Sequence, residues 1–452
     1  MKKILFANAN IYSQVRDAYR PLWPGYLSAY LEKHMGEGHF EFRYMTGDFG
    51  KDLEEFKPDI VAISSTSSNY NCAMRYAAAA KARGCAVVIG GIHITYMPQC
   101  LTKDMDVGVV GEGEITFLEL MRHYLERNAF DPEHLGGISG LVYNHGGKLV
   151  RTSPRPLIAS LDEVPSPKRS ILGYGSQVYM FTSRGCPYEC TFCVSARYWD
   201  KVRYVPVGQV IEEIRELVDH GVEVIHFFDD LFVSNRKRLR QIADEVVANG
   251  FHKKASFICY ARANVVTPDM AKSLRDMNAI SVGVGFESGS DRVLKYLKGS
   301  NMSVEDNWRA VKILKEAGLR ALDNFMIGSP DETKEEIMQT YDFIAKSGVD
   351  SIDVAIITPY PGTPLWNYAK NRGLVSDNMN WDLLNNTDSH GGGVFISEKL
   401  TRKEIDALYK KFVKLNFIVK VKSLRHYPYS MTRLAKVAFR FMLRNYRLLL
   451  SS

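Results

Sequence analysis

The sequence has no apolar run approaching the ~20 residues of a membrane-spanning helix. Its apolar start, Met1–Ala7, stops at Asn8-Ala9-Asn10, too short for the core of a signal peptide and better read as a first strand. A cytoplasmic protein is the expectation. Cysteine is scarce: seven in 452 residues, at 72, 85, 100, 186, 190, 193 and 259. An odd count in a long chain without a leader argues against a disulfide framework. No Asp or Glu occurs from residue 419 to 452, where eight Lys and Arg lie. The formal net charge is +7, so the rest of the chain is close to neutral. A near-neutral body argues against a general nucleic-acid surface.

What is present is β/α alternation. Short apolar strands read at Ile4–Asn8, Phe40–Met45, Ile60–Ser65, Ala86–Gly90 and Val107–Val110, with helices at Gly25–Lys33, Cys72–Arg83 and Glu114–Arg127. That pattern predicts a doubly wound, flavodoxin-like parallel sheet over residues 1–130. Ligands of such sheets sit beyond the strands' carboxyl ends. The loops there carry Ser64, Ser65, Thr66, Gly90, Gly91, His93, Gly111 and Glu112. Gly90 and Gly91 would admit a flat, bulky ligand close to the backbone. The glycines at 108, 111 and 113 do not have dinucleotide-fingerprint spacing. Alone, this segment suits a nucleotide, a corrin or no ligand.

Residues 131–175 read as a β-hairpin turning near Asn144–Gly147 and a linker with Pro154, Pro156, Pro165 and Pro167. From 176 to 372 alternation resumes. Strands read at Val178–Thr182, Val224–Phe228, Ala255–Tyr260, Ser281–Glu287, Ala321–Ile327 and Ile352–Pro359. Six β/α units predict a partial (β/α)6 barrel of TIM type, with chemistry at the carboxyl ends of its strands. On the helix at Val304–Ala317, Val304, Trp308, Val311 and Leu314 have core spacing. Residues 373–452 read as a helical C-terminal extension.

One loop after the first barrel strand carries the chemistry: Arg184-Gly185-Cys186-Pro187-Tyr188-Glu189-Cys190-Thr191-Phe192-Cys193. Three thiolates at C-x3-C-x2-C spacing can hold a four-iron cluster and leave one iron open. A structural zinc site favours paired knuckles, and no second pair follows. Other strand ends carry Asp229-Asp230, Arg262 and Gly285-Phe286-Glu287. Adjacent carboxylates there suit an amine or hydroxyl, and equally a helix cap. Arg262 could pair with a carboxylate or lie on the surface.

The cysteine motif, with Phe192 before its third Cys, resembles the signature of the radical S-adenosylmethionine (SAM) superfamily. A doubly wound domain, a Pro-rich linker and then this barrel resemble the cobalamin-dependent branch over about residues 1–370. The resemblance implies a 4Fe-4S cluster on Cys186, Cys190 and Cys193. It implies SAM near Phe192, Asp229, Asp230, Arg262, Gly285 and Glu287. It implies cobalamin in the first domain, at the eight strand-end residues named above. The chain lacks the D-x-H-x-x-G element, so no axial His is expected. It carries Gly328-Ser329-Pro330-Asp331-Glu332-Thr333 where the family often has G-x-P-G-E-T. Methylthio-transferring relatives fit less well, because their extra N-terminal cysteine pattern and C-terminal β-barrel are not evident.

The implied activity is reductive cleavage of SAM to a 5′-deoxyadenosyl radical for hydrogen abstraction, with methylation of an unactivated carbon through methylcobalamin. Cyclisation, rearrangement, dehydration or decarboxylation without methyl transfer is the alternative, and a non-catalytic Fe–S and SAM sensor a third. The partners implied are a small-molecule or lipid substrate and a reductase, flavodoxin or ferredoxin as electron donor. In the tail, Arg433, Lys436, Arg440, Arg444 and Arg447 share one helical face opposite apolar residues. Such a helix suits peripheral contact with an anionic membrane, or docking with a solvated basic face.

Overall fold

The computed structural model describes residues 1–9, 20–385 and 393–423. The basic tail face and most of the loop after the first strand lie outside them. The chain divides into two compact units. The first comprises Met1–Tyr260, Asp276–Ala279 and Thr358–Val394; the second comprises Ala261–Arg275, Ile280–Ile357 and the residues from Phe395 onward.

The first unit contains a seven-stranded sheet in the order β2-β1-β3-β4-β5-β6-β7. Its strands are β1 (Lys2–Asn8), β2 (Phe40–Tyr44), β3 (Ile60–Ser64), β4 (Ala86–Gly90), β5 (Val107–Val109), β6 (Leu141–His145) and β7 (Lys148–Arg151). The first five pair in parallel, and the central β3 to β5 are short and nearly all apolar, as strands covered on both faces are. Ile4, Phe6, Ile60, Ala62 and Val88 are buried on one core with Phe117, Leu120 and Met121 of the helix Glu114–Arg127. The hairpin β6–β7 is part of this sheet: β6 pairs antiparallel with β5, and Val107 faces Tyr143. The helix Phe49–Phe56, unforeseen in the sequence, buries Phe49, Leu53 and Phe56 and is capped by Asp48.

Also in this unit are β8 (Gln177–Met180), β9 (Ser183–Arg184), β10 (Arg203–Tyr204), β11 (Val224–Phe227) and β12 (Ser256–Arg262, to Tyr260 in this unit). β11 runs parallel to both β8 and β12, and β9 pairs antiparallel with β10. In the second unit lie β13 (Ala279–Glu287, from Ile280 in this unit), β14 (Arg320–Ile327) and β15 (Ser351–Ile356), paired in parallel in that order. All six expected barrel strands are thus present. The helix Arg402–Ser423 of the second unit buries Ile405, Leu408, Phe412 and Leu415. The helix Val304–Glu316 departs from expectation: Trp308 is 39% exposed, while Asn307 is fully buried. Asn307 earns its place by donating from Nδ2 to the carbonyls of Phe286 (3.3 Å) and Ser288 (3.1 Å). Trp308 instead lies edge-on against Phe343 at 4.9 Å.

Gly91 has φ +98°, and a Cβ there would stand 2.6 Å from the Ser65 carbonyl oxygen. The neighbouring loop therefore already takes the space that the sequence reading reserved for a ligand. Gly111, with φ +82°, has nothing within 4 Å of a Cβ position. Gly91→Val is expected to destabilise the first unit by about 1–3 kcal/mol through strain at this φ, with or without cobalamin. Denaturant unfolding of the ligand-free protein checks this; unchanged stability would return Gly91 to the role of ligand cradle.

Candidate functional site

Gly185 opens the cysteine loop at φ +102°, and a Cβ would meet the Lys201 carbonyl oxygen at 2.7 Å, so only glycine fits. Asp230 Oδ2 accepts from the Gly185 amide at 3.1 Å. Arg197 Nη1 donates to the carbonyls of Cys190 (3.2 Å) and Cys193 (2.8 Å). The Ser195 amide donates to Cys193 Sγ at 3.4 Å. Burial pushes the Cys186 thiol up to about 11 and raises that of Cys193. Cys190 is buried and the other two are half-buried. A four-iron cluster places each thiolate on a different iron, and three thiols on one pinned loop suit it.

The strand before this loop is locked from beneath. Asp229 is buried and accepts from the Thr182 amide and hydroxyl (2.6 Å each) and from the Ser183 hydroxyl (2.7 Å). Burial raises its pKa despite these bonds. Arg238 adds bonds to the carbonyls of Thr182 (3.0 Å) and Val205 (2.7 Å). Both Asp229 oxygens thus serve the protein. Of the two adjacent carboxylates, Asp230 is the exposed one.

The loop is joined to the first sheet by buried ions. Arg184 donates to Glu112, and to Glu114 at 2.6 Å. Arg203, paired with Arg184 across β9 and β10, grips Glu112 with both terminal nitrogens (3.0 and 3.1 Å). The Ile158 amide completes the Glu112 shell at 2.8 Å. Burial opposes the Glu112 charge, yet Arg184 and Arg203 hold its pKa below the usual carboxylate range. Glu112, expected beside cobalamin, is therefore consumed by the joint. Tyr198, just past the cysteines, donates to the Gly111 carbonyl at 2.7 Å. A Cβ on Gly362 would overlap the Tyr96 ring at 2.5 Å, and the Leu365 amide donates to Thr191 in the cysteine loop at 3.3 Å. The loop from Tyr360 to Leu365 thus touches both Tyr96, at the first-sheet edge, and the cysteine loop. Arg184, Arg203 and Tyr198 were missed in the sequence, although Arg184 stands inside the motif.

At the cobalamin edge, His93 is fully buried. Its Nδ1 lies 3.0 Å from Ser67 Oγ, and its ring packs on Tyr70 (3.9 Å) and Trp381 (4.4 Å). Burial lowers its pKa to about 3, so it is neutral. His93 Nε2 and Ser65 Oγ are both buried without a hydrogen-bond partner. Ser64 is half-buried and Thr66 exposed. Two orphaned polar atoms with open space above Gly111 fit a polar ligand at this edge.

In the second unit, Glu287 is buried at φ +64°, a rare backbone state for a non-glycine residue. Lys298 Nζ pairs with its Oε1 at 3.2 Å and also bonds the Gly285 carbonyl. Arg262 donates to the Lys298 carbonyl at 2.8 Å. Arg262, Gly285 and Glu287 are thus brought together there, with Lys298 as the connecting residue. Glu332 accepts from the amides of Gly328 (2.7 Å) and Ser329 (3.0 Å), so the departure from G-x-P-G-E-T leaves the turn's acid in place.

A three-cysteine loop fixed to a flavodoxin-like sheet defines a two-cofactor class, and the comparisons name it. Sequence models of the radical SAM superfamily and of the B12 binding domain match residues 180–344 and 14–121. An uncharacterized methyltransferase of Pyrococcus horikoshii is 36% identical over 379 residues, 80% of each chain. An anaerobic magnesium-protoporphyrin IX monomethyl ester cyclase of Cereibacter sphaeroides is 27% identical, covering 95% of this chain and 72% of its own. Among solved structures, the cobalamin-dependent SAM radical enzyme OxsB superposes with TM-score 0.75 at 16% identity, over 100% of this chain and 72% of that one. The methyltransferase TsrM of Kitasatospora setae gives 0.71 at 18%, over 90% of each. The chain belongs to the cobalamin-dependent radical SAM family. It is an enzyme whose cofactors are a 4Fe-4S cluster, SAM and cobalamin.

Arg184→Met leaves Glu114 buried without its cation and Glu112 with Arg203 alone. Unfolding free energy of the first unit is expected to fall by about 3–5 kcal/mol at pH 7. A depressed folded-state pKa stabilises above the unfolded carboxylate range and is lost as pH falls through the folded value. The deficit should therefore shrink on acidification below pH ~4. Denaturant midpoints at pH 7 and at low pH measure it; equal deficits at both would remove the ionic explanation.

Proposed function

We propose that this enzyme methylates an unactivated carbon of a small-molecule substrate, with reductive SAM cleavage supplying the hydrogen-abstracting radical and cobalamin carrying the methyl group. The carrying observation is the ionic joint, which fixes the cysteine loop to the cobalamin edge of the same compact unit. Cys186, Cys190 and Cys193 would hold the cluster. Phe192 and Asp230 would meet SAM from the first unit, with Asp229 holding the strand behind them. Arg262, Gly285 and Glu287 are the second unit's candidates for SAM groups. Ser64, Ser65, Thr66, Gly90, His93 and Gly111 would frame cobalamin, with Gly91 and Glu112 shaping that edge through the protein. When bound, the cofactors supply radical and methyl-transfer chemistry; the protein positions them and excludes water. An electron donor is needed. No helix among the described residues is long and apolar enough to cross a membrane.

Support for methyl transfer comes from relatives named methyltransferases, including the cytidylyl-2-hydroxyethylphosphonate enzyme of Streptomyces wedmorensis, 27% identical over 78% of this chain. The cyclase relative, spanning 95% of the chain, favours a second reading, radical cyclisation without methylation.

Two measurements decide. Cys186→Ala should lose reconstituted iron and sulfide and form no detectable 5′-deoxyadenosine, while the first sheet stays folded by circular dichroism. Full iron occupancy in that variant would refute the cluster assignment. In anaerobic wild-type protein with methyl-labelled SAM, hydroxocobalamin and a low-potential chemical reductant that brings the cobalamin to cob(I)alamin, label should appear on the cobalamin. Formation of 5′-deoxyadenosine with unlabelled cobalamin would select the cyclisation reading.

A further inference from the structure

Three adjacent strands of the first unit carry an aromatic face that no cofactor assignment uses. Along β8, Val178 and Met180 are buried while Tyr179 and Phe181 are half-exposed. Along β11, Ile225 and Phe227 are fully buried and Phe228, just past its end, is 41% exposed. Along β12, Phe257 and Cys259 are buried while Ile258 and Tyr260 are half-exposed. The register pairs His226 with Tyr179 and with Ile258, so the alternating residues share one face. The opposite face carries the stacked Phe227, Phe232 and Phe257.

Phe228 is the centre of this face. Tyr179 lies under its ring at 4.2 Å and 33°. Phe181 and Tyr260 flank it at 5.9 and 5.6 Å, steeply inclined at 66° and 84°. Its backbone amide is tied to the Met180 carbonyl at 2.8 Å. An apolar ring of this size, exposed yet held from beneath and from both sides, is a preorganised stacking platform. His226, edge-on to Tyr179 at 5.8 Å, is kept neutral by burial, its pKa lowered to about 4. The rings packed around Phe228 therefore bear no formal charge of their own. It is continuous with the reacting centre: Phe228 precedes Asp229 and Asp230, and Asp230 holds the amide next to Cys186.

We infer that this face seats a flat, uncharged, π-conjugated ring of the substrate over Phe228. The assignment rests on the radical reading above and adds the substrate's class to it. A saturated ring of equal outline would keep the dispersion contact but lose the quadrupole-directed stacking.

The test uses reconstituted wild-type enzyme with cluster, SAM and hydroxocobalamin bound, in equilibrium dialysis against 2-naphthol. 2-Naphthol should bind, decahydro-2-naphthol should displace it only at about threefold to tenfold higher concentration than unlabelled 2-naphthol, and Phe228→Leu should weaken it about threefold to tenfold. Phe228→Trp should retain binding. Absence of 2-naphthol binding, equal binding by Phe228→Leu, or displacement by the saturated alcohol as effective as by 2-naphthol would each overturn the inference. So would binding seen only when SAM is omitted, which would give the ring to adenine. Wild-type SAM cleavage is assayed in parallel. Its absence would sink the radical reading, whereas cleavage without 2-naphthol binding would sink this inference alone.

Discussion

The buried ionic joint between Arg184, Arg203, Glu112 and Glu114 is the constraint on which the first unit depends. Four charges withdrawn from water are tolerable only when each is met by its opposite at hydrogen-bonding distance. That requirement fixes geometry more tightly than apolar packing does, because a shift of one residue leaves a bare charge. Glu112 and Glu114 stand at the start of the helix Glu114–Arg127, where its dipole favours negative charge. Arg184 stands two residues before the first cysteine. One contact therefore sets where the cluster loop lies relative to the sheet edge that the B12 binding model matches.

A second network acts on the same loop from the barrel side. Asp229 ties Thr182 and Ser183, Arg238 ties Thr182 and Val205, and Asp230 ties Gly185. The residues on either side of the cysteines are thus overdetermined, and Arg197 ties the carbonyls of Cys190 and Cys193 from within the loop. Such an arrangement suits a loop that must present three thiols to a group larger than any side chain, without collapsing when that group is absent.

The architecture could be read from the sequence because hydrophobic periodicity is a property of one segment at a time. The short strands β1 to β5 and the six barrel strands fall where the apolar runs put them. What could not be read is partnership. Glu112 and Asp230 are both acids at strand ends; only the fold shows that Glu112 is spent on two arginines while Asp230 stays exposed. Trp308 and Asn307 are neighbours on one helix, and composition favours burying the tryptophan. The Ser288 carbonyl needs a donor and the Phe286 carbonyl takes a second one, and Asn307 supplies both. Gly91 reads as a cradle for a ligand until its φ and the nearby Ser65 carbonyl show what it accommodates. Each discrepancy arises where a buried polar group had to be satisfied by a residue distant in sequence.

Charge in the first unit is concentrated where it holds the scaffold, while the rings packed around Phe228 carry none of their own. Positioning must then come from shape and from the fixed orientation of rings rather than from ion pairs. Rings locked by their neighbours lose little entropy when a ligand settles on them. The same economy is seen in the joint, where Arg184 and Arg203 orient the cysteine loop by pairing with buried Glu112 and Glu114.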